Sequence, residues 1–175
     1  AGWRGVISDD FTFSNVRLVA QAILDYVKET AGEDPVVVIG YDPRFLSENF
    51  AAAAAEVAAA NGIKVLLSDD DVPTPVISNY IIEKKLSGGI NITASHKPPE
   101  YSGIKFSPSW GGPALPETTE KIERNCVEIL ADPGRIKTME LERAKELGMV
   151  EVVDISRGYI EKVKKIINTD IINDD

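Results

Sequence analysis

Residues 36–67, VVVIGYDPRFLSENFAAAAAEVAAANGIKVLL, decide how this chain folds. Val36-Val37-Val38-Ile39 is an apolar run without polar alternation. A strand of that kind is covered on both faces, as in a parallel sheet. Ser47 is placed to cap the helix that follows. The body of that helix, Ala51 to Ala60, is almost pure alanine, the strongest helix former, and small side chains let a helix lie close against a sheet. Asn61-Gly62 ends it. Ile63-Lys64-Val65-Leu66-Leu67 is then a second strand. Strand, helix and strand joined by short loops predict a right-handed βαβ unit. The loop leaving the first strand is Gly40-Tyr41-Asp42-Pro43-Arg44, and open α/β sheets bind ligands at such strand ends. Arg44 has two readings there. It contacts an anion, or, as we prefer, it braces the loop with Asp42 through hydrogen bonds.

Upstream, Trp3 to Ile7 reads as a short strand or extended entry. Val16, Val19, Ala20, Ile23, Leu24 and Val27 fall at helical spacing and form one apolar face directed at the core. Thr12 or Ser14 caps that helix, Gly32 ends it, and Asp34-Pro35 breaks the chain. Downstream, Asp69-Asp70-Asp71 suggests a metal, because hard cations prefer carboxylates. Consecutive aspartates point in different directions, however, and no neighbouring ligand completes a shell, so a solvated turn is the better account. Thr74-Pro75 starts a further helix, with Val76, Ile77, Tyr80 and Ile81 on its apolar side. Ser87-Gly88-Gly89 leads into another strand, whose Asn91-Ile92-Thr93 matches a glycosylation sequon by coincidence.

Beyond Phe106 the pattern loosens. Ser107 to Pro116 contains Pro108, Trp110, Gly111-Gly112 and Pro113, and is either a mobile flap over a site or only a connection. A helix from Glu117 sets Ile122, Cys126, Ile129 and Leu130 on one side, with Cys126 read as core. Asp132-Pro133-Gly134 stops it. A short charged helix from about Met139 to Leu147 and an extended Val150-Glu151-Val152-Val153 follow. Tyr159, Ile160, Val163, Ile166 and Ile167 make a last amphipathic helix with no strand after it. Its apolar face folds back or makes contacts between copies. Together the elements predict a three-layer α/β/α sandwich around a mostly parallel mixed sheet of about four strands.

Composition narrows the function. The 175 residues carry 43% hydrophobic and 27% charged residues, ordinary for a soluble globular protein. The formal net charge of −9 argues against a nucleic-acid partner, whose binding rests on basic patches. A small anionic substrate is compatible, because local cations matter more there than the total. One cysteine, Cys126, allows no internal disulfide and suits a reducing, cytoplasmic setting. No apolar run approaches the roughly 20 residues of a membrane span, and no signal peptide is visible. The opening Ala1-Gly2-Trp3, without an initiator Met, suggests a trimmed or engineered chain.

The chemistry concentrates in Gly88 to Phe106, GGINITASHKPPEYSGIKF. A short apolar strand enters, a polar loop with Ser95, His96, Lys97 and Pro98-Pro99 follows, and Ile104-Lys105-Phe106 returns. Ser95 can act as a nucleophile or phosphoryl carrier, and His96 and Lys105 can move protons or offset charge. Arg4, between Trp3 and Gly5, can approach a phosphate closely and bind it in bidentate fashion. Taken as residue types alone, a surface turn and a surface arginine are the better account of these segments.

The segment Thr93-Ala94-Ser95-His96-Lys97-Pro98, with Gly103-Ile104-Lys105 after it, resembles the active-site serine loop of the α-D-phosphohexomutases, which include phosphoglucomutase, phosphomannomutase and phosphoglucosamine mutase. Lys97 stands where the family usually has Asn, and Ser102-Gly103 where it has Asn-Gly. Gly2-Trp3-Arg4-Gly5 and Gly40–Arg44 resemble two further family segments in the same order. The resemblance covers Gly2 to about Val153 and implies the first of four domains, with residues 154–175 opening a second. It implies a mutase in which phosphorylated Ser95 gives its phosphoryl group to a sugar and takes another back from the bisphosphate. Lys105 and His96 would assist proton transfer, Arg4, Lys97 and Arg44 would face phosphate, and the phosphoserine at Ser95 would be one ligand of magnesium. A hexose 1,6-bisphosphate would activate, and the remaining ligands and sugar-reading loops would lie in domains 2–4. The fragment alone would not turn over. Two readings of other classes stay open: a serine hydrolase, which lacks the G-x-S-x-G elbow, and a non-catalytic α/β binding domain.

Overall fold

A computed structural model describes residues 2–167. Ala1 and residues 168–175, including the Asn173-Asp174-Asp175 end, lie outside the described residues. The first strand is β1 (Trp3–Val6), followed by α1 (Phe13–Thr30), β2 (Val36–Tyr41), α2 (Ser47–Ala60), β3 (Lys64–Ser68) and α3 (Thr74–Lys84). Then come β4 (Gly88–Ile92), β5 (Tyr101–Pro108), α4 (Pro116–Ala131), a 3-10 turn (Pro133–Arg135), α5 (Leu141–Glu146), β6 (Val150–Val153) and α6 (Ser156–Ile166).

The strands form one mixed sheet in the order β1-β5-β4-β2-β3-β6. β4, β2, β3 and β6 run parallel, and β5 and β1 are antiparallel to their neighbours. The sheet therefore has six strands, slightly more than the roughly four expected. The two extra strands are the edges, β1 and β6, each four residues long. An edge strand makes only one ladder and carries a weak apolar signal, which is why Trp3–Val6 and Val150–Val153 read only as extended.

Alternation in the sheet sorts the core into two layers. Val37, Ile39, Ile90, Ile92, Ile104 and Phe106 point to one face and pack with α1 and the alanines of α2. Val38 points the other way and packs with Val72, Val76, Ile77 and Ile81 beneath α3. Ala54, Ala55 and Ala58 are fully buried, so the alanine helix does lie close on the sheet. Gly40 and Gly89 allow the same approach for α3, since a Cβ on Gly40 would stand 2.6 Å from Ile77 and one on Gly89 2.9 Å from Ile81.

Local capping follows the sequence in part. Thr12 caps α1 and accepts from Asn15 N. Ser47 does not cap α2. Leu46 holds the cap position in a left-handed conformation, and Ser47 Oγ instead donates to Asp42 Oδ1 at 2.9 Å. Pro73, not Thr74, occupies the cap position of α3, and Thr74 Oγ1 is taken by Asn91. On α4, Ile129 is buried but Leu130 is 63% exposed, and Cys126 is half-buried rather than core. The thiol of Cys126 is nevertheless pushed up to about 11, chiefly by burial.

The segment after Phe106 is no flap over the serine loop. Pro108 pairs with Gly88 at the start of β4, whereas Ser95 follows its end. Gly111, at φ +73, packs against Ser78 and Ile82 of α3. Helix α6 folds back on α3: Tyr159 joins the core around Ile155, and Lys162 Nζ donates to Asn79 Oδ1 at 2.9 Å.

Candidate active site

The parallel ladder carries β4 toward the loop that holds Ser95. Thr93 N still donates to Gly103 O at 2.8 Å, and then the chain turns. Thr93 Oγ1 accepts from Ser95 N at 3.0 Å, and Ser95 adopts the left-handed region at φ 61. A non-glycine residue there is uncommon and is held by its surroundings. The result lifts the side chain out of a buried strand: Thr93 and Ala94 are buried, while Ser95 through Glu100 are exposed. Ser95 Oγ lies 3.3 Å from His96 Nδ1. Among the described residues no carboxylate hydrogen-bonds His96, so the pair lacks the orienting acid of a hydrolytic triad.

Arg44 is what holds the loop. Its Nη1 donates to Pro98 O (2.7 Å) and Tyr101 O (3.0 Å), and its Nη2 to Ser95 O (2.9 Å) and Lys97 O (2.7 Å). Its Nε donates to Asp42 Oδ2 at 3.2 Å. A guanidinium has five N–H donors, and all five are used. Arg44 therefore has none left for an anion, and the phosphate-contact reading yields to bracing. Asp42 is fixed in turn by Ser47 Oγ and by Arg44 N. This explains why a serine stands at position 47 without capping the helix.

Arg4 and Lys105 belong to the strands β1 and β5 beside the loop. Arg4 pairs with Gly103, and Lys105 with Asn91, so all four share one face of the sheet with Val38, Gly40 and Gly89. Helix α3 covers that face over β2 and β4, and among the described residues no helix packs over β1 and β5 there. Gly103 makes the space. A Cβ on it would stand 2.5 Å from Thr93 O and 2.9 Å from Arg4 Cγ. The Arg4 stem thus lies across Gly103 beside the root of the serine loop. Arg4 Nε is buried without a hydrogen-bond partner. Burial first, and then the Arg4 charge, push the Lys105 amine below its usual range, with Asp42 opposing.

On the other side of Ser95 an open cleft of about 940 Å³ runs from the serine loop to the start of α3. Asp42, Asp71, Thr74, Thr93, His96 and Lys97 line it. Lys97 is exposed, its ammonium 5.8 Å from the Tyr101 ring centroid. In the Asp69-Asp70-Asp71 turn, Asp70 and Asp71 are exposed. Among the described residues no three His, Cys, Asp or Glu side chains stand together as a metal site. A hard cation takes about six oxygens, so a single serine oxygen cannot hold one, and this chain by itself does not fit the ion.

The structure thus gathers Ser95, His96, Lys97, Lys105 and Arg4 around one sheet end and assigns Arg44 to the frame. Sequence reasoning missed the roles of Asn91, Thr74 and Gly103. The signal for Asn91 was present: one amide inside the apolar run Ile90-Asn91-Ile92. Gly103 was visible only as part of a motif, because its role is the contact it permits.

The family model described as phosphoglucomutase/phosphomannomutase, alpha/beta/alpha domain I, matches residues 1–131. A phosphoglucomutase of Staphylococcus saprophyticus is 33% identical over 156 residues, covering 88% of this chain and 28% of that protein. A phosphoglucomutase of Komagataeibacter xylinus is 32% identical, covering 99% of this chain and 33% of that protein. Among solved structures, a protein of Thermus thermophilus assigned as a phosphomannomutase superposes with a TM-score of 0.81 at 35% identity. That superposition covers 97% of this chain and 35% of the other. The chain thus spans about a third of the length of the relatives it matches. With its serine loop, its arginine brace and its α/β/α layers in that order, the chain belongs to the phosphoglucomutase/phosphomannomutase family as a domain I.

Proposed function

We propose that this chain is the phosphoserine-bearing domain of a phosphohexomutase that interconverts hexose 1-phosphate and hexose 6-phosphate in the cytoplasm. The observation that carries the reading is Ser95: an exposed hydroxyl on left-handed backbone, clamped by Arg44, with unpaired Arg4 and Lys105 on the adjoining sheet face. Positioning and charge do most of the work in phosphoryl transfer. From phosphorylated Ser95 the Oγ–P bond breaks while a sugar hydroxyl forms its own O–P bond, and the hydroxyl proton leaves to a base. Lys105 suits that role because burial and the Arg4 charge move its pKa down from the ordinary lysine value. His96 Nδ1, beside Oγ, assists proton transfer at the serine oxygen as charge returns to it. Arg4 and Lys97 hold phosphate oxygens.

Magnesium, when bound, would neutralise charge on the transferring group. Of its ligands this chain supplies Ser95, as phosphoserine, and the others come from the rest of the parent protein. Residues 1–153 form the first domain and 154–175 open the second, so the phosphosugar site is completed by domains 2–4. Glucose or mannose phosphate is the preferred substrate, with glucosamine phosphate the alternative.

The test is peptide mass spectrometry on the longer parent protein, before and after incubation with a hexose 1,6-bisphosphate and magnesium. Phosphate on Ser95 that rises with the bisphosphate supports the mutase. An unmodified Ser95 under both conditions, with Ser95→Ala harmless to activity, would remove it.

A further inference from the structure

Two polar groups on the α3-facing side of β4 and β5 stand side by side, and the described residues leave both unpaired. Asn91 is 3% exposed. Its Nδ2 donates to Thr74 Oγ1 at 2.7 Å, which fixes the amide against the first turn of α3. Its Oδ1 is buried and has no hydrogen-bond partner. A buried carbonyl without a donor is costly and is normally filled. Lys105 is the register partner of Asn91 on β5. Directly opposed residues of an antiparallel pair leave the same face with Cβ atoms about 4.5–5.5 Å apart. Lys105 Nζ has three donors, and no hydrogen bond or salt bridge among the described residues uses them.

The other charged groups facing Lys105 are few. Arg4 approaches from β1 and repels it, and Asp42 from the loop after β2 attracts it. The near end of α3 offers Thr74 and Pro75, neither charged. His96 and Lys97 lie on the exposed loop above and supply no acceptor of opposite charge. Asn91 Oδ1 is thus a neutral acceptor within one cross-strand step, already oriented by Thr74.

We propose that Asn91 is a positioning residue: its Oδ1 takes a hydrogen bond from Lys105 Nζ and holds the ammonium on the sheet face that Arg4 and Gly103 share. The pairing concerns this chain alone. Its consequence for catalysis rests on the mutase reading. The pair sets where the amine points when a sugar hydroxyl arrives, and it partly offsets the burial and Arg4 repulsion that disfavour the charged form.

The test is the titration of Lys105 itself, read from the pH dependence of its reaction with acetic anhydride by peptide mass spectrometry on the 175-residue chain. A hydrogen bond to the charged form favours that form. Asn91→Leu, close in volume, is therefore expected to lower the Lys105 midpoint by about half to one pH unit, and Asn91→Asp to raise it. Thr74→Val frees the amide without altering the core and is expected to give a smaller shift in the Asn91→Leu direction. In the parent enzyme, Asn91→Leu should reduce kcat about tenfold or more and leave KM nearly unchanged, since proton transfer by positioned groups contributes about 10²–10⁴-fold. A Lys105 midpoint that moves in none of the three variants would overturn the pairing, even if Ser95 is phosphorylated. A midpoint that moves in a parent with no mutase activity would leave the pairing intact and sink the functional reading instead.

Discussion

Replacing Arg44 by alanine should release the serine loop while leaving the sheet intact. Five hydrogen bonds are lost, four to loop carbonyls and one to Asp42. A net contribution of roughly 1 kcal/mol each would give about 5 kcal/mol. Ser95, Lys97 and Pro98 are exposed, however, so their carbonyls can be rehydrated when the loop opens. The Asp42 carboxylate keeps Ser47 Oγ and the backbone N of residue 44. Discounting for both leaves about 2–3 kcal/mol, which is about a 30- to 150-fold rise in the open population of the loop. Amide hydrogen exchange reads this directly. Lys97 N and Tyr101 N, which bond within the loop, should exchange faster by that factor. Val65 N, bonded to Met149 O far from Arg44, should change little. Arg44→Lys should recover less than half of the protection, because one ammonium cannot fork to four carbonyls. If Arg44→Ala leaves loop exchange unchanged yet weakens binding of inorganic phosphate, the bracing argument fails and the residue is an anion ligand.

Three further outcomes follow from single contacts. Gly103→Ala would set a Cβ 2.5 Å from Thr93 O and 3.0 Å from Trp3 O, both backbone, so neither can swing aside. A loss of about 2–4 kcal/mol is expected by urea unfolding, with the Ser95 loop displaced even where the fold survives. Lys105→Met should stabilise the chain at neutral pH. The folded amine has a lowered pKa, so its charged form costs stability below the folded pKa, and that cost fades as pH rises toward the unfolded value of 10.5. The gain in urea midpoint should therefore shrink toward pH 10.5, and a gain independent of pH would point to packing instead. Cys126, with its thiol pushed up to about 11, should react with iodoacetamide at about pH 8 far more slowly than a free cysteine, recovering in denaturant. Equal rates in the two states would show that its burial is not maintained in solution.

The parts of the fold that were legible in the sequence are those where one signal dominates. Val36–Ile39 had to be a doubly covered strand, and its core residues Val37, Val38 and Ile39 are fully buried. The alanine run had to be a closely packed helix. The serine loop was legible because its residues are adjacent in sequence. Less legible were roles that depend on partners far along the chain. Arg44 reaches carbonyls 51 to 57 residues away, and nothing in a local G-x-D-x-R segment says whether its donors end on an anion or on the protein. Ser47 and Thr74 both sit where a capping residue is expected, but Ser47 Oγ donates to Asp42 five residues back and Thr74 Oγ1 accepts from Asn91 seventeen residues on. The segment from Ser107 to Pro116 looked like a lid only because its composition is that of a loop. Which end of the sheet it occupies follows from the β4–β5 register, which composition does not encode.

That same register binds fold and site together. On β1 and β5, Trp3, Ile104 and Phe106 point into the α1 layer, while Arg4, Gly103 and Lys105 point the other way. The alternation has period two, so a slip of one residue between β4 and the β5–β1 pair would exchange the two sets. Two cations would enter the apolar layer, and three large apolar side chains would stand on the opposite face. Each buried, unpaired charge costs several kcal/mol, and each large apolar side chain withdrawn from the core forfeits about 1.5–3 kcal/mol. These sums rival the whole stability of a domain, which is about 5–15 kcal/mol. The packing that stabilises the edge of the sheet is therefore also what puts Arg4 and Lys105 on the sheet face that leads to the Ser95 loop. A variant that loosens Trp3, whose ring stacks on Phe11 at 4.9 Å, should misplace Arg4 before it unfolds the chain.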